Sequence, residues 1–200
     1  VTAGHALGPM VMDGQLENWP GRPPVRIDPS RLVSGKEAST LEASFKVSWD
    51  ERNLYLLINV IDPTPMRNKH SGGSYWNADC VELFLGVEQL DRGGALLFTD
   101  KQFLLGAGKA DGSQHYVPNV PKQPKVSMAV VRDGDKGYTM EVAIPWVDLG
   151  AAPKEGTALL FDMAVDNSDE GDRRNAQIMW NGGARNSSDR SLWGRLRLDR

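Results

Sequence analysis

The chain has 200 residues, and its 23 Lys and Arg nearly balance its 26 Asp and Glu, which gives a net charge of −3. This balance provides no basic surface of the kind that nucleic acid requires. No stretch approaches the roughly 18 consecutive apolar residues of a membrane-spanning helix. Cys80 has no second cysteine to pair with and is interpreted as a buried, inert thiol. We therefore expect one domain over residues 1–200 that binds neither nucleic acid nor membrane.

Apolar and polar residues alternate along much of the chain. Residues 21–39 are the least periodic stretch and are predicted to wrap a sheet edge as a loop. In residues 41–49 every odd position is apolar and every even one polar, which predicts a half-buried strand. Turn-forming residues 50–53 follow, and residues 54–61 are almost wholly apolar. The two runs predict a hairpin whose second strand is central in the sheet.

The remaining runs predict further strands at residues 80–86, 96–105, 126–132, 138–144, 159–165, 176–180 and 193–198. Residues 133–137 contain glycine and predict a hairpin loop between two of these strands. One short helical turn is predicted near residues 145–149. Prolines fall between the runs, as they do in loops and at strand ends. This pattern predicts an all-β fold, a two-sheet antiparallel β-sandwich of jelly-roll or immunoglobulin type with very little helix.

Four segments of the chain carry a resemblance to a known family. They read MDGQLENW at 12–19, FKVSWD with NLYL and VID within 45–62, WNADCVELF at 76–84 and WGRLRL at 193–198. In this order they resemble the family 9 carbohydrate-binding modules that are attached to bacterial xylanases and related secreted proteins. The resemblance implies a β-sandwich that binds sugars without cleaving them. It also implies a module tethered to a catalytic domain and secreted, periplasmic or at the bacterial cell surface.

The resemblance also implies a set of sugar-binding residues. In the family, two tryptophans sandwich a terminal glucose- or xylose-type unit and polar side chains bind its hydroxyls, which suits glucan- or xylan-type oligosaccharides and monosaccharides. Trp76 matches the first tryptophan, and Glu82 matches a sugar-binding glutamate. Gln102 and Asn186 match neighbouring polar positions. From the pattern alone, Trp76 could equally cap the core and Glu82 could be an ordinary solvated strand residue.

The chain departs from the family at two positions. Leu104 stands where an arginine is common, and residues 181–190, where the second tryptophan is expected, contain no aromatic residue. Arg185 could stack or hydrogen-bond in its place, and Tyr75 lies next to Trp76. Trp180 ends a predicted strand beside this loop, so it could pack in the core or bind. Trp19, Trp49 and Trp193 are expected in the core.

Acidic residues cluster in several predicted loops. The family resemblance implies that structural calcium is possible there, although no cofactor is required. No stretch matches an EF-hand, so the ligands are not assigned. The candidates are Asp13, Glu17, Asp50, Asp62, Asp162, Asp166, Asp169, Glu170 and Asp172.

Enzymatic and haem-binding interpretations receive less support from the sequence. It contains no nucleophile-elbow, zinc-binding or phosphate-loop motif and has three histidines, so we do not expect an enzyme. One alternative is an electron-transfer domain that binds haem b through Met66 with Lys69 or His70, which lie together in one predicted loop. A second alternative is a spacer or interaction domain whose sugar site has decayed.

Overall fold

The computed structural model describes residues 1–15, 19, 22–35, 40–90, 94–107 and 113–200. The described part of the chain is all-β, as predicted, with one short α-helix, α1 (Trp146–Leu149), where the helical turn was expected. The strands are β1 (Thr2–His5), β2 (Val25–Ile27), β3 (Leu32–Gly35), β4 (Glu42–Trp49), β5 (Asn53–Ile61), β6 (Cys80–Gly86), β7 (Lys101–Ala107), β8 (Ser113–Tyr116), β9 (Ser127–Arg132), β10 (Tyr138–Pro145), β11 (Ala158–Asn167), β12 (Ala176–Met179) and β13 (Gly194–Asp199).

The predicted hairpin between β4 and β5 is confirmed. The two strands pair antiparallel along their whole length, with Trp49 opposite Leu54 at the turn. Asp50 closes this turn, because its carboxylate accepts hydrogen bonds from the backbone N–H of Arg52 and of Asn53, both at 2.7 Å. A short acidic side chain that bonds the backbone two or three residues later is a common turn-forming device.

The hairpin between β9 and β10 is also confirmed. Its loop is closed by a hydrogen bond from the backbone N–H of Asp133 to the carbonyl of Gly137, at 2.9 Å. Gly137 has a φ of +118°, and a Cβ there would lie 1.9 Å from the carbonyl oxygen of Val60, so only glycine fits. The alternate apolar side chains of β10 are all buried, and they are Tyr138, Met140, Val142 and Ile144.

The hydrogen-bonded strands follow the order β8-β7-β6-β11-β13-β1-β4-β5-β10-β9, with β12 and β3 beside β11 and with β2 beside β4. Pairing among these strands is antiparallel except at β1, which runs parallel to both β13 and β4. Because β1 joins the two halves of the order, the strands form one continuous network. The predicted division into two separate sheets stays a prediction.

The hydrophobic core takes side chains from both halves of this network. Trp49 and Trp193 are buried, as expected. Trp19 was expected in the core but is only partly buried, and its indole N–H donates to the buried carboxylate of Glu141 at 3.0 Å. Cys80 is fully buried, and burial raises the pKa of its thiol well above the ordinary value, which agrees with an inert thiol.

Several boundaries differ from the sequence-based prediction. The loop predicted at residues 21–39 contains β2, which pairs with β4, and β3, which pairs with β12; residues 20–21 and 36–39 lie outside the described residues. The strand predicted at 96–105 begins only at Lys101, because a turn closed by Asp100 precedes it. β1 and β8 were not predicted. No helix in the described ranges is long and apolar enough to cross a membrane.

Candidate functional site

A pocket of about 230 Å³ opens over β6, β7 and β12. Alternate residues of a strand point to one face of its sheet, and this rule places the floor of the pocket. β6 contributes Glu82 and Phe84, and its neighbour β7 contributes Leu104 and Gln102 directly opposite them. The full lining is Gly73, Trp76, Glu82, Phe84, Gln102, Leu104, Pro118, Arg174, Gln177, Met179, Gly183, Ala184, Asn186 and Ser187.

Trp76 forms a wall of the pocket from a 3₁₀ turn, Gly72–Asn77. The preceding residue, Tyr75, is buried, and its hydroxyl donates to the carbonyl of Ala107 at 2.6 Å. This hydrogen bond anchors the turn to the end of β7, and Trp76 remains 39% exposed. Tyr75 was predicted to bind ligand, but it lies under the turn and does not line the pocket. Its neighbour on β7, Gly106, has no room for a Cβ beside the tyrosine ring.

Arg174 lies over one face of the Trp76 ring, with the guanidinium carbon 4.9 Å from the ring centroid. Two carboxylates hold the guanidinium in place: Nη1 is 2.9 Å from Asp166 Oδ1 and 3.6 Å from Glu82 Oε1. A cation above a tryptophan ring is attracted by the ring quadrupole. Arg174 therefore fixes the orientation of Trp76 and places a charged donor group at the edge of the pocket.

Glu82 is buried and each of its carboxylate oxygens accepts a hydrogen bond, so it is not the solvated strand residue that the pattern allowed. Gln177 Nε2 donates to Glu82 Oε1 at 2.9 Å, and the amide of Gln102 donates to Oε2. The same Gln177 nitrogen also lies 2.9 Å from Asp166 Oδ1. Burial, with a further contribution from the Glu82 charge, raises the pKa of Asp166 well above its ordinary value, although Arg174 acts in the opposite direction.

The loop that follows β12 forms the other wall, and Asp162 holds it. This buried carboxylate accepts hydrogen bonds from the backbone N–H of Asn181 at 3.1 Å, from that of Gly182 at 2.6 Å and from Asn186 Nδ2 at 2.8 Å. Asn186 Oδ1 in turn accepts from the N–H of Gly183 at 3.1 Å. Burial raises the pKa of Asp162. The wall is therefore a rigid polar loop.

Two further predicted site residues lie away from the pocket. The side chain of Arg185 is 81% exposed and pairs with Asp189 at 3.2 Å. Trp180 packs against Phe45 and Phe161, with ring centroids 5.8 and 5.7 Å apart. Of the two positions that the sequence allowed, packing against the core or binding a ligand, the ring takes the first. Neither residue lines the pocket.

The structure thus brings together Trp76, Glu82, Gln102 and Asn186 and separates them from Tyr75, Arg185 and Trp180. Sequence reasoning missed the residues that organise the pocket, which are Asp162, Asp166, Arg174 and Gln177. The acidic residues of β11 were noticed only as candidate calcium ligands. The sequence carried one signal for Gln177. It is a polar residue between apolar neighbours in β12, so alternation places its side chain on the face opposite to theirs.

The structure places several of the candidate metal and haem ligands. Within the described ranges no three His, Cys, Asp or Glu side chains lie close enough to hold a metal, and Glu17 lies outside those ranges. Met66 is packed in the core. The imidazole Nε2 of His70 lies 2.8 Å from the carbonyl oxygen of Asp172.

A concave site with one exposed aromatic ring and a few fixed polar groups is typical of domains that bind small ligands. Over residues 12–200 the chain matches the family described as "Carbohydrate family 9 binding domain-like", and it belongs to that family. This confirms the resemblance recognised in the sequence.

The chain is also similar to parts of longer proteins. It is 30% identical to the endo-1,4-beta-xylanase A of Thermoanaerobacterium saccharolyticum, over 96% of this chain and 15% of that protein. It is 28% identical to the exoglucanase XynX of Acetivibrio thermocellus, over 96% of this chain and 16% of that protein. The chain thus spans about a sixth of these relatives.

Among solved structures, the fold is similar to a family 9 carbohydrate-binding module from Caldicellulosiruptor kristjanssonii. The complex of that module with cellotriose aligns with a TM-score of 0.75 and 23% identity, over 100% of this chain and 93% of the other. Its complex with glucose gives a TM-score of 0.74 over 97% of that chain. These alignments support the all-β fold.

Proposed function

We propose that this protein is a non-catalytic carbohydrate-binding module whose pocket holds sugar units of plant-type glycans. Glucan- and xylan-type oligosaccharides, or their monosaccharides, are the ligands that the names of the relatives and of the similar structures suggest. Trp76 provides a face for stacking against the C–H face of a sugar ring. Glu82, Gln102 and Asn186 provide hydrogen-bonding groups for its hydroxyls.

The observation that carries this proposal is the pairing of Trp76 with a buried polar network in one pocket. Glu82 and Gln177 are held by hydrogen bonds inside the protein, so they are oriented before any ligand arrives. Preorganised groups lose less side-chain entropy on binding. The pocket volume of about 230 Å³ is smaller than the roughly 300–1,000 Å³ of pockets for drug-sized ligands. A terminal unit of a glycan suits this size better than a long stretch of chain.

The state of the carboxyl groups supports a binding role over catalysis. Glycosidases use two carboxyl groups, typically about 5–10 Å apart on either side of the bond that is cleaved. Glu82 and Asp166 instead share Gln177 and Arg174 as partners on one side of the pocket. Neither is placed across the cavity from the other, so we propose that the module has no hydrolytic activity.

We further propose that the chain forms a single module with a two-layer β-sandwich, in which β1 links the layers. Its match to about a sixth of longer xylanases and exoglucanases suggests a module tethered to a catalytic domain of a secreted, periplasmic or cell-surface bacterial protein that degrades polysaccharides. No cofactor is required for stacking and hydrogen bonding, and a structural calcium ion stays a prediction.

Calorimetric titration tests the binding function. The ligands are glucose, xylose, cellobiose and longer glucans and xylans, each titrated into the intact chain. Saturable binding of at least one of them is expected, together with no release of reducing sugar on prolonged incubation. Absence of binding to every ligand would favour the spacer domain, and hydrolysis would contradict the non-catalytic role.

A further inference from the structure

The two walls of the pocket stand at opposite ends of its floor. Arg174, which covers Trp76, is anchored by Asp166, and Asp166 is paired with Cys80 at the start of β6. The polar loop is anchored by Asp162, which is paired with Phe84. From Cys80 to Phe84 a strand rises about 13 Å, at about 3.3 Å per residue. A sugar ring resting on the floor therefore has Trp76 on one side and the loop on the other.

The loop wall contains no aromatic ring, and neither tryptophan that flanks the loop in sequence supplies one. Residues 181–192 include no aromatic residue. Trp180 is packed against Phe45 and Phe161. Trp193 is buried against Phe84, and its indole N–H donates to the carbonyl of Asn186 at 3.2 Å. Moving either tryptophan into the pocket would open the core, so among the described lining residues Trp76 is the one exposed aromatic ring, and Phe84 lies buried in the floor.

Small and polar groups face the second side of the sugar. Gly183 and Ala184 line this side and carry no ring that could stack on a sugar, and Ser187 is exposed. The Ser187 hydroxyl has no hydrogen-bond partner among the described residues, so it is available to a ligand.

Because one wall is aromatic and the other is polar, the pocket should distinguish sugars by the configuration of their hydroxyls. A gluco- or xylo-configured ring carries its hydroxyls around the rim and presents C–H groups on both faces, so its second face would meet the polar loop without gain. A galacto-configured ring carries an axial hydroxyl at C4 on one face and keeps the opposite face apolar. Stacking of the apolar face on Trp76 then directs the axial hydroxyl towards the loop wall, where Ser187 carries a hydroxyl.

We propose that the pocket binds galacto-configured terminal units more tightly than gluco- or xylo-configured ones. This proposal rests on the proposed sugar-binding function and specifies its preferred ligand class. One additional hydrogen bond is worth about 0.5–1.5 kcal/mol net, which corresponds to a preference of about 2- to 13-fold.

Calorimetric titration with methyl β-galactoside, methyl β-glucoside and methyl β-xyloside tests the preference. We expect the galactoside to have the lowest Kd, by about 2- to 13-fold. Equal or tighter binding of the glucoside or the xyloside would overturn the preference and leave sugar binding intact. Absence of binding by all three glycosides and by the oligosaccharides would instead overturn the proposed function together with the preference.

Three variants connect the preference to the loop wall. Ser187→Ala is expected to weaken the galactoside and leave the glucoside unchanged. Ala184→Trp adds a second ring and is expected to strengthen the glucoside and the xyloside more than the galactoside. Arg185→Trp is the matched control, since it adds the same ring to the same loop at a position outside the pocket. If Ala184→Trp and Arg185→Trp changed the three affinities equally, the assignment of the loop wall as the second side of the sugar site would be contradicted.

Discussion

The two ends of the pocket are both built on buried aspartates of β11, but these aspartates are bonded differently. Asp162, at the loop end, accepts hydrogen bonds from three backbone N–H groups and from Asn186. Asp166, at the tryptophan end, shares Oδ1 between Arg174 and Gln177, and its Oδ2 has no partner among the described residues. The first carboxylate is a structural anchor for a loop, and the second belongs to a network that still has hydrogen-bonding capacity.

The difference indicates which end tolerates change. Unpaired buried donors are costly, so removal of the Asp162 carboxylate affects every donor that it satisfies. The Asp166 end contains two acids and one cation, so a neutral amide can replace one acid without leaving a charge unpaired. We expect substitutions at the loop end to affect folding and those at the tryptophan end to affect pH dependence and binding.

The largest expected effect is that of Asp162→Ala. It leaves several buried N–H donors without an acceptor and should lower the free energy of unfolding by about 3–5 kcal/mol. Urea unfolding measures this loss, with Asp135→Ala in the exposed hairpin loop as the control, for which a change within about 0.5 kcal/mol is expected. A similar small change in both variants would show that Asp162 is not an anchor.

Asp166 is expected to make stability depend on pH. Burial raises its pKa in the folded protein. Its contribution to stability is therefore complete below the ordinary carboxyl pKa of about 4 and is lost as pH rises towards the folded pKa, by up to about 1.4 kcal/mol per pH unit. Asp166→Asn imitates the protonated acid and should flatten this decline in urea unfolding between pH 4 and 8. An unchanged slope would contradict the raised pKa.

Arg174→Ala removes the cation that lies over Trp76. The contact is worth about 0.5–2 kcal/mol, so we expect the affinity for a bound sugar to fall by about 2- to 30-fold as Trp76 loses its fixed orientation. Titration calorimetry measures the change. Arg173→Ala is the matched control, because Arg173 is the exposed neighbour and does not line the pocket. Equal affinities of the two variants would show that Arg174 does not contribute to sugar binding.

The smallest effect is expected from removal of calcium. No three metal-ligating side chains gather within the described part of the chain, so a chelator should leave the Tm within about 1 °C of its value in added calcium. Differential scanning calorimetry compares the two conditions. A Tm that falls clearly on chelation would establish a structural ion held with other ligands.

The sequence predicted the long strands because their alternation has a direct physical cause. In β4 burial alternates from Glu42 to Val47, and this run is long enough for the pattern to be visible in the sequence. Shorter strands such as β2 and β3 offer only three or four positions, which are too few to separate alternation from chance. β8 was also missed, because its four residues are mostly polar and show no alternation with apolar residues.

The candidate site was predictable only in part, and for a comparable reason. Trp76 and Glu82 belong to one continuous motif of the family, so the sequence located them. Arg174 and Gln177 reach the pocket only because β12 pairs with β11 and β11 pairs with β6. Such long-range pairing leaves no local pattern. Trp180 shows the converse case, since proximity to the loop in sequence did not place its ring in the pocket.

The most direct test of the account compares Trp76→Ala with Phe98→Ala by titration calorimetry, using the glycan that the intact chain binds best. Both substitutions remove an exposed aromatic ring, and Phe98 is 88% exposed outside the pocket. Stacking on an aromatic ring is worth about 0.5–1.5 kcal/mol beyond the buried area, and together with that area the loss should exceed tenfold in Kd. We predict that Trp76→Ala loses detectable binding with its fold intact while Phe98→Ala binds normally. Unchanged affinity of Trp76→Ala would contradict the assignment of this pocket as the sugar site.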